Sequence, residues 1–106
     1  MLKEIKFIHV RDICIKLMVF VFKETEDLIE NSNNKYATRV RNAVLALGYS
    51  INHLEDKEDD DYISKIFLNT LTELEKNYRL IRLNGLIDDE RLINVLMQVE
   101  KFRSMV

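Results

Sequence analysis

The strongest constraint on the fold of this 106-residue chain is a set of hydrophobic residues that recur at alternating spacings of three and four. The clearest run consists of Ile63, Phe67, Leu71, Leu74, Tyr78 and Ile81. Residues at these spacings share one face of an α-helix, whereas a strand would need every second residue to be apolar. The chain has no proline and only two glycines, so little in it interrupts long helices. We therefore predict an all-α protein.

The same pattern predicts four helices separated by three joints. They cover residues 3–30, 35–54, 62–83 and 88–106. We expect the Asn and Ser residues of segment 31–34 to cap the second helix, and Asp88 to cap the fourth. Gly85 suits the left-handed position that follows a helix. Short links between amphipathic helices favour an antiparallel up-down-up-down four-helix bundle, which we predict as a single domain over residues 1–106.

The first predicted helix carries two apolar stripes at helical spacing. They are Val10, Cys14, Leu17, Val21 and Leu28, and Ile8, Ile15, Val19, Phe22 and Ile29. A helix that is apolar nearly all round has to be covered on more than one side. The surplus fills either a wide core or a contact between subunits. We predict a candidate oligomer interface, which consists of Ile15, Val19, Phe20 and Phe22.

The charges are unevenly distributed. The net charge is −2, and six acidic residues lie within segment 55–61. Outside it, 12 acidic residues stand against 15 lysines and arginines, so the remaining surface is mildly basic at +3. The candidate phosphate-contacting residues on the second and third helices are Lys35, Arg39, Arg41, Lys76, Arg79 and Arg82. The simpler alternative is that both charge sets only solvate the surface. In a ring of subunits, however, modest basic patches would act together.

No residue pattern points to catalysis or to metal binding. Neither His9 nor His53 has a glutamate three residues before it or a second histidine at a short spacing. Glu73 and Glu75 are two residues apart and point to different sides of a helix. Cys14 lies in an apolar stripe, where a thiol is usually inert. We therefore predict no enzymatic activity, no catalytic residue, no cofactor and no metal.

The location of the protein is predicted from its cysteine content and its apolar segments. A single cysteine cannot form an internal disulfide, which fits a reducing cytoplasm. The apolar run 13–22 is too short to span a bilayer and is followed by charged residues rather than by a cleavage site. We predict a soluble, cytoplasmic protein without a membrane contact or a signal peptide.

Three segments resemble a known family of four-helix bundles, first noticed as proteins encoded in intervening sequences of bacterial 23S ribosomal RNA genes. Residues 71–75, Leu-Thr-Glu-Leu-Glu, are followed at the family's distance by residues 85–87, Gly-Leu-Ile. These are similar to the family's Leu-x-Glu-Leu-Glu segment and its Leu-Gly-Tyr-Ile helix ending. Residues 39–43, Arg-Val-Arg-Asn-Ala, resemble the opening of the family's second helix, in which Arg41 and Ala43 match in type.

The resemblance covers roughly residues 36–106 and identifies a divergent member. Where the family usually has Ile-Pro-x-Asn-Ile-Ala-Glu-Gly, residues 47–54 read Leu-Gly-Tyr-Ser-Ile-Asn-His-Leu. The same superfamily includes the accessory variability determinant of diversity-generating retroelements, a pentameric barrel that binds nucleic acid and a reverse transcriptase. The resemblance therefore implies a homo-oligomeric ring, with a pentamer favoured, and a partner that is RNA, DNA or a reverse transcriptase. It implies no enzyme activity.

Two functional hypotheses follow. The first is a non-enzymatic, homo-oligomeric adaptor that holds nucleic acid or a reverse-transcriptase nucleoprotein on repeated basic patches, as a diversity-generating retroelement accessory protein does. The second is a protein–protein interaction module without nucleic-acid contact, in which the acidic segment 55–61 docks a basic partner.

Overall fold

The computed structural model describes the backbone of residues 2–32, 34–54 and 60–106, and the side chains of residues 9–31, 34–54 and 61–106. Within these ranges the chain forms five α-helices and no β-strand, which confirms the all-α prediction. The helices are α1 (Leu2–Glu24), α2 (Glu26–Ser32), α3 (Lys35–Asn52), α4 (Asp60–Leu83) and α5 (Asp89–Met105). The side chain of Ile8, residue Asn33 of the first joint and residues 55–59 of the acidic segment lie outside the described residues.

The first predicted helix is divided in two at Thr25, so the prediction of one continuous helix over 3–30 is wrong. Thr25 is fully buried, and its hydroxyl donates to the carbonyl of Val21 at 2.7 Å. Such bonding to the residue four positions earlier bends helices. Arg41 of α3 donates a hydrogen bond from Nε to the Thr25 hydroxyl at 2.8 Å and another from Nη2 to the carbonyl of Phe22 at 3.0 Å. The side chain of Arg41 therefore bonds to the chain at the end of α1, and this insertion explains the break between α1 and α2.

The other helix ends follow the local sequence signals. The side chain of Asn34 accepts the backbone N–H groups of Tyr36 and Ala37 at 2.8 and 3.1 Å, as expected of an N-cap. Gly85 has a φ of +73°, and the N–H of Leu86 bonds to the carbonyl of Ile81, as in a Schellman ending. Asp88 caps α5 by accepting from the N–H of Arg91 at 2.8 Å.

The buried hydrophobic side chains form one cluster, to which all five helices contribute. α3 packs extensively against both α1 and α4, and α4 packs against α5, whereas α1 and α5 touch only over a short stretch. The Cα atoms extend over 47 × 22 × 17 Å. The contact between α1 and α5 is therefore much smaller than the contacts of α1 with α3 and of α5 with α4.

At Gly48 of α3 there is little space between the backbone and the side chain of Met18 on α1. A Cβ atom at this position would lie 3.1 Å from Sδ of Met18 on α1. A glycine within a helix marks either a close packing site or a local bend. It lies within α3 and is buried, so we interpret it as a packing site.

None of the helices among the described residues is both long enough and apolar enough to cross a lipid bilayer.

Candidate functional site

The outer face of α1 exposes two aliphatic side chains. Ile15 is 60% exposed and Val19 is 62% exposed. They are four residues apart on one side of a helix whose opposite side, at Leu17 and Val21, is fully buried. We call Ile15 and Val19 the outer strip.

The other two predicted interface residues contribute partly to the fold itself. Phe20 is half-buried, and its ring centre lies 6.2 Å from that of Phe102 on α5. Phe22 is also half-buried, and the guanidinium of Arg41 lies 4.6 Å from the centre of its ring. Of the four candidate interface residues, Ile15 and Val19 are therefore mainly exposed, whereas Phe20 and Phe22 are only partly exposed.

Two of the six candidate phosphate-contacting residues are engaged within the chain. Arg41 donates to Thr25 and Phe22, as described above. Nε of Arg82 lies 2.6 Å from Oδ1 of Asp89, and this hydrogen bond lowers the pKa of the Asp89 carboxyl. Because Arg41 faces α1 and α2 while Arg82 faces the start of α5, the structure does not bring these two arginines together.

The other four candidates are exposed and make no ion pair with a described residue. The charged groups of Lys35 and Arg39 lie 5.1 and 5.3 Å from the centre of the Tyr36 ring, so both cations are close to one aromatic side chain. Lys76 and Arg79 line a shallow depression on α4. These two pairs are the surfaces that remain available to an anionic partner.

A polar cluster surrounds the break between α1 and α2. Nε of Arg91 on α5 lies 2.6 Å from Oε1 of Glu24, and its Nη2 lies 2.6 Å from the backbone carbonyl of Glu24. Nη1 and Nη2 of Arg91 also lie 2.8 Å from the two carboxylate oxygens of Asp27. The hydrogen bonds from Arg91 lower the pKa of Asp27, and those to Asp27 and Glu24 raise the pKa of Arg91. We call Glu24, Thr25, Asp27, Arg41 and Arg91 the break cluster.

The hydroxyl of Tyr78 is buried near the break cluster. Burial raises the pKa of this phenol, and the carboxylates of Glu24 and Asp27 raise it further. The hydroxyl has no hydrogen-bond partner among the described residues. It is therefore held neutral in a region that is crowded with charge.

Sequence reasoning missed the break cluster. Glu24 and Arg91 are 67 residues apart, and both belong to charged segments that are typical of any solvated helix. The only local signal was Asp88, which places Arg91 in the first turn of α5. That signal fixes where the helix begins but not which side chain the arginine meets.

A groove of about 480 Å³ lies between α1 and α5, which touch only over a short stretch. Its apolar lining residues are Phe20 and Met97, which are accessible, and Val95, which is buried. The remaining lining residues are polar or charged: Glu24, Asp88, Glu90, Arg91, Asn94, Gln98 and Lys101. We call this surface the α1/α5 groove.

Two further titratable residues were considered from the sequence, Cys14 and His53. Cys14 is buried, and burial raises the pKa of its thiol. Nδ1 of His53 lies 2.7 Å from the carbonyl of Tyr49, and the two rings are stacked at 4.0 Å. Among the described residues, no three His, Cys, Asp or Glu side chains converge in a way that could hold a metal ion.

Comparison of the chain with protein-family models, with curated proteins and with solved structures found no match. The interpretation of these surfaces therefore depends on their own geometry and on the sequence motifs described above.

Proposed function

We propose that this protein is a non-enzymatic, homo-oligomeric adaptor of the cytoplasm. In this proposal α1 and α2 act as one arm of an antiparallel up-down-up-down four-helix bundle, and copies of the bundle assemble into a ring. The ring holds RNA, DNA or a reverse-transcriptase nucleoprotein, as in the accessory proteins of diversity-generating retroelements. The motifs in segments 39–43, 71–75 and 85–87 support this family assignment and a pentameric ring.

The observation that carries the proposal is the exposure of the outer strip. Ile15 and Val19 are each about three-fifths exposed in the middle of a helix, and they are neighbours on one face. Single exposed aliphatic residues are common, whereas neighbouring ones on a helix face enlarge an apolar patch, and large exposed apolar patches mark interaction sites. Covering them with a second copy would remove apolar surface from water, which favours association.

Solution mass tests the assembly. The chain weighs 12.6 kDa, so we expect the wild type to be a multiple of that mass by light scattering after gel filtration. Replacing Ile15 and Val19 together by Glu should shift the mass towards 12.6 kDa. The matched control is Leu45→Glu, a change at another exposed aliphatic residue, on α3. A wild type that remains monomeric at high concentration contradicts the proposal.

The nucleic-acid part of the proposal is supported by the exposed basic pairs. Lys35 with Arg39, and Lys76 with Arg79, make no ion pair with a described residue. Phosphate contacts by such residues release counterions, so binding should weaken steeply as salt is raised.

Fluorescence anisotropy with labelled RNA and DNA tests this contact. For duplex DNA, each phosphate contact adds about 0.9 to the slope of log affinity against log salt. Replacing Lys35, Arg39, Lys76 and Arg79 by Gln should reduce that slope. A control with the same change at Lys65 and Lys101 should reduce it less. If neither RNA nor DNA binds at low salt, the nucleic-acid contact is rejected.

The second candidate is a protein–protein interaction module that makes no nucleic-acid contact. The engagement of Arg41 and Arg82 within the chain favours it, because this reduces the basic surface available to phosphates. In this candidate the acidic segment 55–61 docks a basic partner. Charge reversal within that segment should then abolish partner binding while leaving the helical content unchanged.

A further inference from the structure

The α1/α5 groove has a shape that can accommodate a helix. It is lined by α5 and by Phe20 and Glu24 of α1, and its accessible apolar side chains are Phe20 and Met97, because Val95 is buried. Met97 is 57% exposed, so a large apolar side chain at the groove remains open to solvent. The lining residues of α5 run from Asp88 to Lys101, which corresponds to roughly 20 Å at 1.5 Å per residue. This length accommodates about four turns of a third helix.

One end of the groove is acidic. A second depression of about 520 Å³ shares Glu24 and Arg91 with it and extends it along α2. The two linings together contain six acidic and three basic residues. The acids are Glu24, Glu26, Asp27, Glu30, Asp88 and Glu90, and the bases are Lys23, Arg91 and Lys101.

The negative charge at this end is largely uncompensated within the chain. Arg91 is already engaged by Glu24 and Asp27. Glu26, Glu30 and Glu90 are exposed, and none of them makes an ion pair with a described residue. Three carboxylates without an ion pair to a described residue are thus left at this end, Glu90 in the groove and Glu26 and Glu30 in the second depression. An anionic partner such as nucleic acid would be repelled here, whereas a cationic one would be attracted.

We propose that the α1/α5 groove binds an amphipathic, basic α-helix of a partner protein. The partner's apolar side chains, spaced three and four residues apart, cover Phe20 and Met97. Its Lys or Arg residues face Glu26, Glu30 and Glu90. This is helix-in-groove recognition, in which the apolar stripe supplies affinity and the charges set orientation and partner choice. The site is separate from the outer strip and from the exposed basic pairs, so it goes beyond the adaptor function proposed above and does not depend on it.

The test uses three labelled 15-residue peptides with the full-length chain. The first is built from Leu and Lys, with Leu at positions i, i+3, i+4 and i+7. The second has the same composition in scrambled order, and the third has Lys replaced by Glu. By fluorescence anisotropy, we expect the first peptide to bind at least tenfold more tightly than either of the others. Equal binding of the scrambled peptide would mean that charge alone is recognised, which overturns the proposal.

Charge exchange locates the site. The double variant Glu26→Lys, Glu90→Lys should weaken binding of the Leu/Lys peptide tenfold or more and should allow the Leu/Glu peptide to bind. The control variant Asp12→Lys, Glu73→Lys has the same net charge but changes exposed residues of α1 and α4 that do not line the groove. If the two variants behave alike, the groove is not the binding site.

Amide chemical shifts of the wild-type chain provide a readout that does not depend on any variant folding. Addition of the Leu/Lys peptide should shift the amides of Phe20, Val95 and Met97. It should leave those of Leu45 and Tyr49 on α3 unchanged. Shifts confined to another surface would overturn the proposal. A loss of peptide binding at higher protein concentration would also overturn it, because it would mean that copies of the chain fill the groove themselves.

Discussion

The guanidinium of Arg91 donates hydrogen bonds to both the side-chain carboxylate and the backbone carbonyl of Glu24. Nε lies 2.6 Å from the carboxylate oxygen Oε1, and Nη2 lies 2.6 Å from the backbone carbonyl. Glu24 is the last residue of α1, and carbonyls at the end of a helix lack partners within the helix. A side chain from α5 therefore supplies the hydrogen bond at the end of α1. This joins two helices that otherwise touch little.

We expect Arg91→Ala to reduce the free energy of unfolding by about 1.5–3 kcal/mol, the usual range for hydrogen bonds to charged groups. Arg91→Lys should recover only part of the loss, because one ammonium group cannot span Glu24 and Asp27 as a guanidinium does. Urea denaturation followed by circular dichroism measures both changes. The control is Arg79→Ala at an exposed arginine on α4, where we expect a change within about 0.5 kcal/mol. Equal effects at the two positions would contradict the structural role of Arg91.

The stability of the protein should decrease in acid, in part because of Asp27. The hydrogen bond from Arg91 holds the pKa of this carboxyl below its ordinary value. In the unfolded chain the pKa of an aspartate is about 3.9. The contribution of Asp27 is therefore fully present above that pH and is lost as the pH falls through its lower pKa in the folded state.

Asp27→Asn tests this relationship. Between pH 5 and pH 2.5 we expect the melting temperature of the wild type to fall more than that of the variant. At neutral pH the variant should be the less stable of the two. Parallel melting curves for both proteins over the whole pH range would show that the pairing with Arg91 does not contribute to stability.

Tyr78→Phe removes a buried hydroxyl that has no hydrogen-bond partner among the described residues. A buried polar group without a partner costs about 1–3 kcal/mol, so we expect the variant to be as stable as the wild type or more stable by up to that amount. Thermal unfolding is the measurement, with Tyr49→Phe at an exposed tyrosine as the control. A clear loss of stability in Tyr78→Phe alone would mean that the hydroxyl is bonded in solution.

Leu74→Ala tests the buried face of α4. Leu74 is fully buried, and a leucine-to-alanine change in a core usually costs about 2–5 kcal/mol. Leu45→Ala, at a residue that is 46% exposed, provides the same chemical change on a surface. We expect chemical denaturation to separate the two variants by at least about 2 kcal/mol. An unchanged midpoint for Leu74→Ala would mean that this side chain is not part of the core.

The helix ends and the buried stripes were predictable from the sequence because their causes are local. Asn34 and Asp88 cap the backbone within three residues of themselves, and Gly85 alone among its neighbours adopts a positive φ without strain. The stripe that includes Phe67 and Leu74 is buried because a helix places residues three and four apart on one face. None of these features requires knowledge of the rest of the chain.

The break at Thr25 and the roles of the arginines required the folded chain. Arg41 reaches Thr25 across 16 residues, and Arg91 reaches Asp27 across 64. A sequence pattern fixes which face of a helix is apolar, but it does not fix which neighbour covers that face or which carbonyl a long side chain meets. The exposure of Ile15 and Val19 and the opening of the α1/α5 groove are of this second kind. They depend on how closely α1, α3 and α5 pack, because the exposed area of a side chain is set by its neighbours in space rather than by those in sequence.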